Sequence, residues 1–123
     1  INEEFRQMHI DAYGIVPDRF SSGTCTAASA LAQAVSESGS TEGADIADAL
    51  RGMTVADTPK GADGYTFQQH NNQAASQMTV AWPVPTSDEY ADTWDAPIMP
   101  GEPLERLDAE DVMVPEEDAS CSL

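Results

Sequence analysis

At 123 residues the chain is long enough for one domain with a modest core. A hydrophobic fraction of 41% permits folding, but much of it is alanine, so large core side chains are few. Twenty-two acidic residues against five basic ones leave a net charge of −17, a balance that repels nucleic acid and anionic membrane surfaces and excludes both as partners.

The acids are spread through the chain, predicted helices included, and Lys60 is the single lysine. This distribution reads as a folded protein adapted to molar salt, where screening over about 3 Å removes self-repulsion, rather than as a disordered acidic chain. A halophilic archaeal source fits. The sequence shows no transmembrane run and no N-terminal signal. Its opening, Ile1-Asn2-Glu3-Glu4-Phe5, reads as protein interior, so the expectation is a fragment.

In chain order, Asn2 is placed to cap a first helix, with Glu3 and Glu4 at its positive end. Phe5, Met8, Ala12 and Tyr13 share a face at helical spacing, and Gly14 with Pro17 stops the helix. Phe20-Ser21-Ser22-Gly23 reads as an extended or loop passage, and a second helix is predicted from Thr24 to Ser38 with an apolar stripe of Ala27, Leu31, Ala34 and Val35. Gly39 ends it. Ser40 or Thr41 caps a third helix whose buried edge is Ile46, Ala49 and Leu50, and Gly52 ends that one.

The period then changes. Met53-Thr54-Val55 reads as a short strand, 59–64 as a turn, Tyr65-Thr66-Phe67 as a strand, and 68–77 as an amide-rich loop. Residues 78–84 form the strongest strand pattern, with Met78, Val80 and Trp82 on one face and Pro83 and Pro85 marking its end or an edge. Residues 1–85 are one α/β unit. Residues 86–123 hold twelve acids, one base and four prolines, and read as an irregular tail that Tyr90 and Trp94 clamp to the folded part; 104–113 is its one candidate helix.

The chemistry-bearing residues form no readable catalytic set. His9 and Asp11 lie about 200° apart on a helix and do not converge on a metal. His70 sits in a polar loop without a serine, cysteine or carboxylate partner. Glu116-Glu117-Asp118 lacks the order of a calcium loop, and no phosphate loop follows Gly61 or Gly64. Cys25 falls in a helical pattern as a small hydrophobe, and Cys121 lies in the tail; a Cys25–Cys121 disulfide is an option in an exported protein. Neither cofactor nor metal nor enzymatic activity is expected. Ser21-Ser22-Gly23-Thr24 supplies hydroxyls ahead of a helix, a place that can receive a carboxylate or carbonyl or can simply cap.

Several features recur in one order: Tyr13-Gly14, Phe20 to Thr24, Ala27 to Val35, Ser38-Gly39-Ser40, Ala49 to Gly52, Thr58-Pro59-Lys60-Gly61, and Met78 to Trp82. Together they resemble the closing stretch of the solute-binding proteins of ABC importers, of the branched-chain amino acid, amide and urea receptor family. The resemblance covers residues 2–84 and not the tail. It implies a partial type I periplasmic-binding-protein lobe, namely three helices, a small β-sheet and an irregular acidic tail. It also implies a small polar solute held between two lobes, permease subunits in the membrane as partners, and a missing N-terminal part of the receptor carrying most ligand contacts. The full-length form would be extracellular or at the cell surface, anchored as a lipoprotein. In this family an aromatic just before the long helix lines the cleft; Phe20 takes that place, with Ser21 and Ser22 beside it. The family's Tyr followed by Asp or Ala at the helix start is replaced by Cys25 and Thr26, and the His70-Asn71 loop is closer to the amide and urea branch. The alternative is a stand-alone acidic interaction module without a small ligand.

Overall fold

The computed structural model describes residues 2–60, 63–91 and 94–120, with side chains at all of them except Asn2, Pro103 and Leu104. Helices α1 (Asn2–Tyr13), α2 (Arg19–Ser38) and α3 (Gly43–Leu50) come first. Short strands β1 (Thr54–Val55), β2 (Tyr65–Phe67) and β3 (Ala74–Ala75) follow, then β4 (Met78–Pro85), β5 (Ile98–Leu107) and a one-turn helix α4 (Ala109–Val112). β1, β2 and β3 make an antiparallel sheet in that order, and β4 pairs with β5 in a separate antiparallel ribbon.

The core is where α2 and α3 meet the three-stranded sheet. Ala30 and Ala34 of α2 are buried with Met53, Val55 and Tyr65, and Ile46, Ala49, Leu50 and Phe67 pack against them. The alanines are what permit the close approach. Tyr65 carries its hydroxyl into this layer and satisfies it by donating to the Thr26 carbonyl at 2.9 Å. Just before Tyr65, Gly64 has a φ of +66° and passes so close to β1 that a Cβ would stand 1.9 Å from the Val55 carbonyl oxygen. Only glycine meets both demands.

Several sequence expectations hold. Gly39 closes α2 in the left-handed conformation, φ +63°, donating its N–H to the Val35 carbonyl. Ile46, Ala49 and Leu50 are the inner edge of α3, and β1 and β2 fall where the alternating pattern put them.

Others are corrected. α2 starts at Arg19 rather than Thr24, because Asp18 caps it, so Phe20 to Gly23 are helical and not extended. Its buried face is Thr26, Ala30 and Ala34, so Ala34 of the expected stripe holds while Ala27 and Leu31 are exposed. The α1 stripe is likewise open, with Met8 57% and Tyr13 72% exposed. α3 is preceded by Glu42 without a side-chain cap; the Ser40 hydroxyl instead accepts from the Glu42 N–H at 3.1 Å. The amide-rich loop contains β3, reached through a tight turn in which the Gln68 N–H bonds the Gln73 carbonyl at 2.8 Å. The acidic segment is not irregular throughout. Its β5 pairs along the whole of β4 with two register shifts, and Pro83 faces Pro100 inside the ribbon. Prolines are tolerated there because both strands of a two-stranded ribbon are edges. Of the expected 104–113 helix, the single turn α4 forms. The Asn2 side chain, Gly61 and Cys121 lie outside what the structure describes.

Candidate functional site

The start of α2 is built by Asp18. Its Oδ1 accepts from the Ser21 backbone N–H at 2.7 Å and from the Ser21 hydroxyl at 2.8 Å. These bonds, the backbone one foremost, hold the Asp18 carboxyl below its ordinary range. Ser22 turns inward along the helix and donates its hydroxyl to the Asp18 carbonyl at 3.1 Å, with the Arg19 carbonyl at 3.4 Å. Thr26 and Ser29 repeat this pattern one turn apart, bonding the Ser22 and Cys25 carbonyls. The hydroxyls at this end of α2 are therefore engaged by their own helix.

The three residues singled out from the sequence separate. Phe20 is 66% exposed, with the Arg19 guanidinium carbon 4.7 Å from its ring centroid. Ser21 serves the cap. Ser22 alone reaches a cavity, one of about 300 Å³ between the start of α2, α1 and the connection from β4 to β5. Val16, Pro17 and Pro59 form one wall, Phe5 and Arg6 of α1 another, and Tyr90, Trp94 and Met99 the third. Tyr90 and Trp94, expected to clamp the tail to the folded part, stand across an open cleft from α1 and the start of α2.

That third wall is well held. Trp94 donates its indole N–H to the Ile98 carbonyl at 2.7 Å, and its backbone N–H to the Tyr90 carbonyl at 2.8 Å. Thr86 closes the loop from the other side, its hydroxyl donating to the Ala96 carbonyl at 2.5 Å and its N–H to Pro97. Arg6 enters the cavity as half of an ion pair: Nε and Nη2 fork onto the two carboxylate oxygens of Glu3 at 3.1 and 2.5 Å. The fork holds the Glu3 carboxyl below its ordinary range and raises Arg6. Arg6 was not singled out from the sequence, and nothing in its neighbourhood there marks it.

A second, wider groove of about 610 Å³ runs between β2 and α4. Its charged lining is Asp63, Asp108 and Glu110, so it presents only negative charge. Among the described residues no group of three or more His, Cys, Asp or Glu is arranged to hold a metal ion. His9 points its Nδ1 at the Ile15 carbonyl at 2.9 Å and lies between the rings of Phe5 and Tyr13, while Asp11 accepts from Gln7. His70 is committed elsewhere, donating from Nε2 to the Val114 carbonyl at 3.0 Å. Cys25 is half-buried. No described helix is long and apolar enough to cross a membrane.

No family model matches the chain, and no curated protein does. Among solved structures, an ABC-type branched-chain amino acid transporter from Rhodopseudomonas palustris CGA009 is similar, with a TM-score of 0.75 and 28% sequence identity. The match covers 98% of this chain and 30% of that one, so this chain spans under a third of the length of its structural relative. The α/β architecture is that of a partial periplasmic-binding-protein-like lobe. The likeness extends through the acidic segment, beyond the 2–84 limit read from the sequence.

Proposed function

We propose that these residues are part of the substrate-binding component of an ABC importer. The component binds a small polar solute, such as a branched-chain amino acid, a short amide or urea, and delivers it to permease subunits. The observation that carries this reading is the structural similarity over nearly the whole chain to a branched-chain amino acid transporter. Its role is non-covalent binding without turnover, in which closing two lobes around the solute shifts a population between open and closed states. The 1–85 and 86–123 segments then belong to one lobe region of a longer receptor, exported and held at the cell surface of a salt-adapted organism. In this reading Phe20, 66% exposed at the start of α2, lines the solute cleft, with Ser21 and Ser22 beside it.

The exposed apolar surface supports an incomplete lobe. α2 is apolar beyond its buried side, with Ala30 and Ala34 buried and Leu31 52% exposed, and Met8, Tyr13 and Ile15 of the α1 region are open as well. Leu31 lies about 60° to 100° around the helix from the two alanines, so the apolar stripe is wider than the face this chain buries.

The test is a thermal melt in molar salt of the 123-residue chain, and of the same chain with its upstream coding sequence, each with leucine, isoleucine, valine, urea and short amides. Only preferential binding to the native state raises the midpoint. The expected result is a rise in the longer protein with at least one of these solutes, and no rise in the 123-residue chain. A sharp cooperative melt of the short chain, with no solute effect in either protein, would establish the acidic interaction module instead.

A further inference from the structure

We propose that the open cleft lined by Phe5, Ser22, Tyr90 and Trp94 is itself a ligand site, for a small uncharged aromatic molecule carrying a hydrogen-bond donor, of the phenol class. The inference uses only residues of this chain and does not rest on the transport reading.

Size and lining set the first limits. At about 300 Å³ the cavity is at the lower end of the range of ligand pockets, which suits a single substituted ring. Three aromatic side chains from two separate segments frame it, a lining that favours offset or edge contacts with another ring. The segment carrying Tyr90 and Trp94 is fixed before any ligand arrives, since Trp94 is tied at both its indole and its backbone N–H.

Charge sets the next. Arg6 is the charged residue of the described lining, and its charge is already matched by the forked pair with Glu3. A cation would meet that guanidinium in a largely apolar space. An anion would leave water for a largely apolar lining whose one positive charge is already matched. An uncharged ligand meets neither obstacle.

Ser22 sets the polarity of the contact. Ser22 is in the lining, and with its hydroxyl hydrogen committed to the Asp18 carbonyl, what its oxygen has left to offer is an acceptor. A ligand that satisfies it brings a donor, such as a phenol O–H, and an ether in the same place leaves it unmet.

The test is a calorimetric titration of the chain in molar salt with p-cresol and with 4-methylanisole, which keeps the ring and loses the donor. Saturable binding of p-cresol is expected, with 4-methylanisole about tenfold weaker, the worth of one well-placed hydrogen bond. Ser22→Ala should bring p-cresol down to the level of 4-methylanisole while leaving 4-methylanisole unchanged, a pattern that a merely structural effect of the substitution does not produce. Trp94→Ala should abolish both. Should circular dichroism show Trp94→Ala to be unfolded, Val16→Phe, which fills the cavity, replaces it with the same expectation. Absence of saturable p-cresol binding to a folded chain, equal binding of the two compounds, or wild-type binding by a folded cavity variant would each overturn the proposal.

Discussion

The two halves of the molecule hold together by different means. In the first, from α1 through β3, every fully buried residue of the described chain is found, between Thr26 and Ala75. In the second, from β4 to α4, no described residue is fully buried, and Trp82 is 69% and Ile98 55% exposed. The ribbon is ordered by its ladder of backbone bonds and meets the rest of the chain at two places, where Tyr90 and Trp94 face α1 and α2 across the cleft, and at the Val114 carbonyl, which receives bonds from His70 and Gln68. The same composition of small apolar residues and acids therefore yields a packed unit where distant elements converge, and a strapped-on ribbon where they do not. Nine of the 22 acids lie in that second half and three more follow it, at 116–118. Burial, rather than regular secondary structure, is what distinguishes the halves.

Truncating Tyr65 tests that distinction most severely. Tyr65→Ala removes a ring that is 6% exposed together with its bond to the Thr26 carbonyl, and should cost about 3–5 kcal/mol, read from the urea midpoint. Trp82→Ala, an equally large truncation on the ribbon, should change stability by no more than about 0.5 kcal/mol. Equal losses at the two sites would erase the contrast. Gly64→Ala comes next. A Cβ there would collide with the Val55 carbonyl in a backbone region unfavourable to alanine, and the cost should exceed about 1 kcal/mol by the same measurement.

Hydrogen exchange sharpens the contrast without mutation. Amides of β2 should exchange only on global opening, while those of β4 and β5 should exchange through local opening at a lower free energy. A ribbon as protected as β2 would show that the two meeting places couple it fully to the core.

Salt gives a smaller and more general effect. With the acids spread over both halves, lowering salt from molar to millimolar should reduce helix content, because screening over a few Å is lost. Unchanged circular dichroism across that range would reject the salt-adapted account of the charge.

These differences also explain what could be read in the sequence. Helix ends were legible, because Gly14 and Gly39 adopt positive φ, a local demand with a local signature. The start of α2 was not. Serine and glycine at 21–23 are poor helix formers, and the Asp18 cap outweighs them. The buried face of α2 was partly misread because the apolar stripe of this alanine-rich helix is wider than the face it buries. The choice is made by a partner far along the chain, Tyr65, which needs the Thr26 carbonyl. β5 was missed because Pro100, Gly101 and Pro103 break its alternation, and only the pairing with β4, with its register shifts, makes it a strand. At the cavity, Ser22 was legible as a hydroxyl near a helix start, and Tyr90 and Trp94 as aromatics turned toward the folded part. Arg6 lies far from them in sequence and joins them only through the fold.

The smallest expected effect is the most specific to one residue. Asp18 is held below its ordinary range by the Ser21 N–H and hydroxyl, so it contributes to α2 while ionised, and the contribution is lost as pH falls through the depressed value. Acidification has an opposite general effect in this chain, because neutralising carboxylates relieves the repulsion of a −17 charge. The two are separated by Asp18→Asn, whose side-chain oxygen still caps the helix and carries no charge to lose. Below the ordinary aspartate range, the stability of the wild type relative to Asp18→Asn should therefore fall, whatever the absolute trend of either. A parallel pair of curves for wild type and Asp18→Asn would mean that α2 is started by packing against the core and not by its cap.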